Sequence, residues 1–69
     1  MRTRYTLPEG TLDCVLAGDQ LHLSFDDMPN EVRTWRVPPL MRGHVIHAMN
    51  RPNRPELMHA VLDKLDYGS

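Results

Sequence analysis

Cysteine is almost missing from this chain: Cys14 is the one example among 69 residues. No disulfide can form within the chain, and a lone cysteine suits a reducing compartment. Zinc-binding patterns are missing too, since one Cys and four scattered His match none of the standard ligand spacings. No apolar run approaches the roughly 18 residues that a membrane span needs. The opening Met-Arg-Thr-Arg-Tyr lacks the apolar centre of a signal peptide. The expectation is a cytoplasmic protein with no membrane span and no cofactor. There is no glycine-rich phosphate loop, nucleophile elbow or zinc-protease motif. Repeats, low-complexity tracts and linkers are also missing. Lysine is nearly absent, with one residue against seven arginines.

What remains is an ordinary globular composition, 41% apolar and 25% charged. Residues 1–69 make one small domain. A chain this short buries only roughly 60% of the surface its unfolded form exposes. With disulfides and metal set aside, oligomerisation or a partner is the expected extra source of stability.

The first half reads as strands. In TLDCVLAGDQLHLSFD, Leu12, Cys14 and Leu16 alternate with polar residues, as do Leu21, Leu23 and Phe25. Gly18-Asp19 suits a two-residue hairpin turn with glycine first. If Ala17 faces Gln20, then Leu16 faces Leu21, Cys14 faces Leu23 and Leu12 faces Phe25. All six apolar side chains then share one face. Upstream, RTRYTL puts Tyr5 and Leu7 on one face. The Pro8-Glu9-Gly10 turn leaves two options: a two-residue loop at Glu9-Gly10, pairing Leu7 with Leu12, or a three-residue loop. VRTWRV, residues 32–37, is expected as a fourth strand stopped by Pro38-Pro39, with a short helix as the alternative.

The second half reads as two helices. Pro39 opens the first, and Met41, Val45, Ala48 and Met49 recur on one face. Asn53 and Glu56 form an N-x-x-E pattern that would cap the second. There Leu57, Ala60, Val61, Lys64 and Leu65 share a face, and Tyr67-Gly68-Ser69 is a tail. The fold class is α+β: a small antiparallel β-meander of three or four strands, followed by an α-helical hairpin packed on it.

Charge is segregated along the chain. Residues 5–31 hold six carboxylates and no cation, whereas residues 32–55 hold Arg33, Arg36, Arg42, Arg51 and Arg54 and no carboxylate. These five arginines are candidates for binding an anion or a partner. Arg51 and Arg54, in RPNRP, precede a helix N-terminus, whose free N–H groups also attract anions. A solvated loop or internal ion pairs are the plainer readings.

Catalytic and metal-binding readings are weak. His44 and His47 share a helix face, but residues 32–55 offer no carboxylate to complete a site. His59 and Asp63 are spaced to pair on a solvent face. Cys14, in mid-strand on the apolar face, reads as an inert small hydrophobe. No enzymatic activity is expected. Apolar surface is more telling. Ala60, Leu57, Val61, Leu65, Met58 and Leu62 cover roughly 200° of the second helix, more than a two-layer domain needs to bury. Met58 and Leu62 fall at the outer edge of this arc, and Ile46 falls off the stripe of the first helix. The expected function is a small non-enzymatic regulator or inhibitor that acts by stoichiometric protein binding, as a homodimer or on a larger partner. Its contact surface would centre on Ile46, Met58 and Leu62, with Trp35 and the arginines as anchors. On this reading Leu62→Asp leaves the monomer folded and abolishes association. The alternative is a small nucleic-acid-binding regulator that uses the arginines of 32–55 and Trp35.

Overall fold

The computed structural model describes residues 1–67. Strands β1 (Arg2–Leu7), β2 (Gly10–Ala17), β3 (Gln20–Phe25) and β4 (Arg33–Arg36) form one antiparallel sheet in chain order. A 3-10 turn at Pro39–Met41 leads into helix α1 (Arg42–Met49), and helix α2 (Pro55–Tyr67) follows. The arrangement is α+β, as expected, with the fourth segment a strand. Among the described residues no helix is long and apolar enough to cross a membrane.

Alternation along the strands sets the two faces of the sheet. The β2–β3 register is the expected one, with Leu12 opposite Phe25, Cys14 opposite Leu23 and Leu16 opposite Leu21. Gly18, at φ +61°, supplies the left-handed conformation that this turn requires. The β1–β2 turn follows neither expected loop. Its two residues are Pro8-Glu9, so Leu7 faces Gly10, Tyr5 faces Leu12 and Thr3 faces Cys14. Gly10 opens β2 at φ +140°, which side-chain-bearing residues rarely adopt.

Two helix boundaries also differ. The residues after Pro39 make a 3-10 turn first, so α1 starts at Arg42. Helix α2 starts at Pro55 rather than after an Asn53 cap. A residue before proline is pushed out of the helical region. Arg54 therefore occupies the boundary position, and its carbonyl accepts the Leu57 N–H at 3.1 Å. Tyr67 belongs to α2 rather than to a tail, whereas Gly68 and Ser69 lie outside the described residues.

Both helices cover the same face of the sheet. Leu12, Cys14, Leu16, Leu21 and Leu23 meet Val45, Ala48 and Met49 of α1 and Met58, Val61 and Leu65 of α2 in one core. Two buried hydrogen bonds join α1 to β1. The Thr3 hydroxyl donates to the Met49 carbonyl at 2.7 Å, and the Tyr5 hydroxyl donates to the Ala48 carbonyl at 2.9 Å. The last carbonyls of a helix lack partners within it, so these bonds both satisfy α1 and place it. At the other end of the sheet's width, the Trp35 indole N–H donates to Asp66 of α2 at 2.7 Å.

Candidate functional site

Helix α2 is rolled relative to its expected orientation. Its buried residues are Met58, Val61 and Leu65, while Leu57 and Leu62 are half-buried and Ala60 and Lys64 exposed. At 100° per residue this is a rotation of roughly 40° from the arc centred on Val61. Met58 is therefore not a surface residue. It is 1% exposed and packs in the core, where its unbranched thioether fills the space between helix and sheet. Ile46 and Leu62 are half-buried at the margin of the same core.

The roll leaves a gap. The helices close over the sheet near the β2–β3 turn, where Cys14, Leu16 and Leu21 are buried. Toward the β1–β2 turn and the loop at residues 26–32 the cover runs out, and Leu7 and Phe25 are only half-buried. A groove of about 510 Å³ opens there. Leu12, Leu23 and Phe25 form its floor, Leu62 and His59 of α2 form one wall, and Met28 and Val32 form the other. Met28 and Val32 are 47% and 49% exposed, so the apolar lining reaches solvent. Trp35 and Arg33 lie along it as well. Trp35 is held firmly, by the Asp66 bond and by the Arg33 guanidinium 4.6 Å from its ring centroid.

Of the expected contact residues, Leu62, Trp35 and Arg33 thus come together in one groove, Ile46 stands apart from it, and Met58 lies beneath it. Leu7, Phe25, Met28 and Val32 were not singled out as contact residues. Each is a single apolar residue next to a turn, and only the meander topology gathers them.

The other arginines are not gathered into a patch. Arg36 reaches Asp19 at 3.6 Å, and Arg42 donates to the Gly18 carbonyl at 2.6 Å, both at the β2–β3 turn. Arg51 donates to the His47 carbonyl at 2.9 Å and so stabilises the C-terminus of α1. Arg54 lies 3.8 Å from Glu56. Arg2 makes a two-pronged pair with Asp13 at 2.8 and 2.9 Å, and Arg4 stands 3.8 Å from Asp13 and 4.0 Å from Asp26. The Arg2 hydrogen bonds hold the Asp13 carboxyl below its ordinary range. One ion pair, Arg36–Asp19, joins the basic and acidic stretches within the molecule, and Arg2 and Arg4 from the N-terminal strand take up Asp13 and Asp26. Arginines on β1 and β4 also place charge on the two edge strands, where it discourages edge-to-edge pairing.

The remaining candidates carry little chemistry. His44 and His47 border a shallow pocket of about 160 Å³ whose other polar residue is the cation Lys64. Among the described residues no group of three or more His, Cys, Asp or Glu is placed to hold a metal ion. Cys14 is fully buried, and burial first, then the Asp13 charge, push its thiol up to about 12. Such a thiol is not a nucleophile. The Thr34 hydroxyl lies 3.0 Å from His22 on the outer sheet face.

Comparison with known protein families, curated proteins and solved structures gives no match.

Proposed function

We propose that this protein is a small non-enzymatic binding module that acts by stoichiometric association with a protein partner, and that the groove between the open end of the sheet and α2 is its contact surface. The observation that carries this reading is the groove's mostly apolar lining, which begins with core residues Leu12 and Leu23 and reaches two half-exposed loop residues, Met28 and Val32. Its volume lies within the roughly 300–1,000 Å³ typical of ligand-binding clefts. The nucleic-acid alternative draws less support, because Arg2, Arg4, Arg36 and Arg54 lie beside carboxylates and the net charge of the chain is −1.

Selection from a displayed peptide library tests the proposal. The immobilised chain is the bait, and the selected segments are then titrated against both the parent and the double variant Met28→Ser/Val32→Ser. Both positions lie outside the core, so the variant keeps its fold. Burying two such side chains further contributes on the order of 2 kcal/mol at about 25 cal/mol per Å². Selected segments are expected to bind the variant at least tenfold more weakly. Segments that bind both proteins equally would remove the groove from consideration.

A further inference from the structure

The geometry points to a specific kind of occupant for this groove: a short amphipathic segment of a protein partner that carries Lys or Arg beside its apolar anchors. This inference rests on the binding-module reading and adds the chemistry of the partner. Its basis is how charge is distributed once the fold has paired what it can.

All seven arginines are engaged, in ion pairs, in hydrogen bonds to carbonyls or over the Trp35 ring. The carboxylates are not all so engaged. Among the described residues, Glu9, Asp27, Glu31 and Asp63 form no ion pair and no side-chain hydrogen bond. Two of these line the groove, and the other two are sequence neighbours of lining residues. Glu9 and Glu31 line it, Asp27 precedes its wall residue Met28, and Asp63 follows its wall residue Leu62. Asp63 also lies one helical turn beyond the lining residue His59, on the same side of α2. The one full cation in the lining, Arg33, is held against Trp35. Glu9 and Glu31 outnumber Arg33 in the lining, and Asp27 and Asp63 stand next to lining residues, so the trough has a net acidic rim. An anionic partner, nucleic acid included, would be repelled there, whereas a cationic amphipathic segment satisfies floor and rim together.

A second copy of this chain is the competing occupant. It could offer Leu40, 91% exposed beside Pro38, Pro39, Arg36 and Lys64. Arg36 already serves Asp19, which leaves Lys64 as the only cation available on that patch. Glu9 and Glu31 at the rim call for more than one.

The test is a fluorescence-anisotropy titration of the whole chain with three labelled peptides about 18 residues long, enough to form a helix. One alternates Leu and Lys with helical period, one has Glu in place of Lys, and one has Ser in place of Leu. The Leu/Lys peptide is expected to bind at least tenfold more tightly than the other two, and to weaken several-fold between about 50 and 200 mM salt. The quadruple variant Glu9→Gln/Asp27→Asn/Glu31→Gln/Asp63→Asn, which alters only surface groups, is expected to lose about tenfold of this affinity and most of its salt dependence. Equal or tighter binding of the Leu/Glu peptide would overturn the cationic inference and leave the groove reading intact. Failure of both Leu-containing peptides to bind would overturn it as well, and the library selection then decides separately whether the groove binds protein at all. Self-association in sedimentation velocity that is lost in both Leu40→Asp and Met28→Ser/Val32→Ser would assign the groove to a second copy instead.

Discussion

Replacing Thr3 by Val is expected to destabilise this protein more than replacing Tyr5 by Phe, although the tyrosine is the larger and more buried residue. The reason lies in the carbonyl each hydroxyl serves. Tyr5 donates to Ala48, whose oxygen also accepts the Arg51 N–H at 3.2 Å. Phenylalanine keeps the ring in place, and the carbonyl keeps a donor. The net loss is one ordinary hydrogen bond, about 1 kcal/mol. Thr3 donates to Met49, the last residue of α1. Three positions on stands Pro52, which has no N–H to offer. Valine matches threonine in shape and in preference for strands, yet it leaves that carbonyl without its donor. An orphaned buried acceptor costs about 1–3 kcal/mol, so about 2 kcal/mol is expected. A domain of this length has only about 3–10 kcal/mol of total stability. The melting temperature should fall by roughly 8–16 °C for Thr3→Val and 4–8 °C for Tyr5→Phe. Urea unfolding followed by Trp35 fluorescence measures both. A Thr3→Val variant within about 0.5 kcal/mol of the parent, or more stable than Tyr5→Phe, would refute the argument that Pro52 makes this hydroxyl necessary.

Two further outcomes follow from the charges and buried acids. Burial raises Tyr5 from 10.0 and Cys14 from 9.0, each to about 12, so the folded chain holds both protonated while the unfolded chain ionises. Their stabilisation is whole below about pH 9 and is lost as pH rises toward about 12, with a slope of up to about 1.4 kcal/mol per pH unit for each group. Urea midpoints measured from pH 8 to 11 should fall steadily, and less steeply in Cys14→Val; a flat profile would contradict the burial of these groups. Mixed-sequence duplex DNA titrated by anisotropy should bind no more tightly than about 10⁻⁴ M at physiological salt, the weak end of non-specific binding. Micromolar binding that weakens steeply with salt would show that the arginines are available after all.

How far the sequence could be read depended on what each pattern constrains. Alternation identifies which residues share a face of a sheet, and a one-residue slip destroys that match. A two-residue slip preserves it. For β2 and β3 the Gly18-Asp19 turn removed the remaining freedom, and the register followed. For β1 and β2 the turn offered three consecutive candidates, Pro8, Glu9 and Gly10. The expected pairing of Leu7 with Leu12 and the actual pairing of Leu7 with Gly10 differ by two residues and put the same side chains inside. Helix periodicity has a similar blind spot. An apolar arc of roughly 200° on α2 exceeds what one face can bury, so the sequence admits several rolls. The sheet selects one of them, through the Trp35–Asp66 bond and the packing of Met58, and that choice both buries Met58 and opens the groove beside Leu62.

Charge was the least legible property, because blocks along a chain say nothing about distance across a fold. The stretch from 32 to 55 looks like a basic surface in sequence. Folding brings Arg36 to Asp19 and Arg42 to Gly18 across separations that composition cannot reveal, and turns Arg51 back onto its own helix. Arg2 and Arg4, which belong to neither block, take up Asp13 and Asp26. After these pairings Arg33, Arg42, Arg51 and Lys64 form no ion pair among the described residues, nor do Glu9, Asp27, Glu31 and Asp63, and Glu9 and Glu31 lie where the apolar cover is incomplete. Surface ion pairs contribute little stability, typically 0–1 kcal/mol. Their larger consequence here is local: Asp13, Asp19, Asp26 and Glu56 each have an arginine beside them, whereas Glu9 and Glu31, which line the groove, form no ion pair and set the sign of charge that it favours.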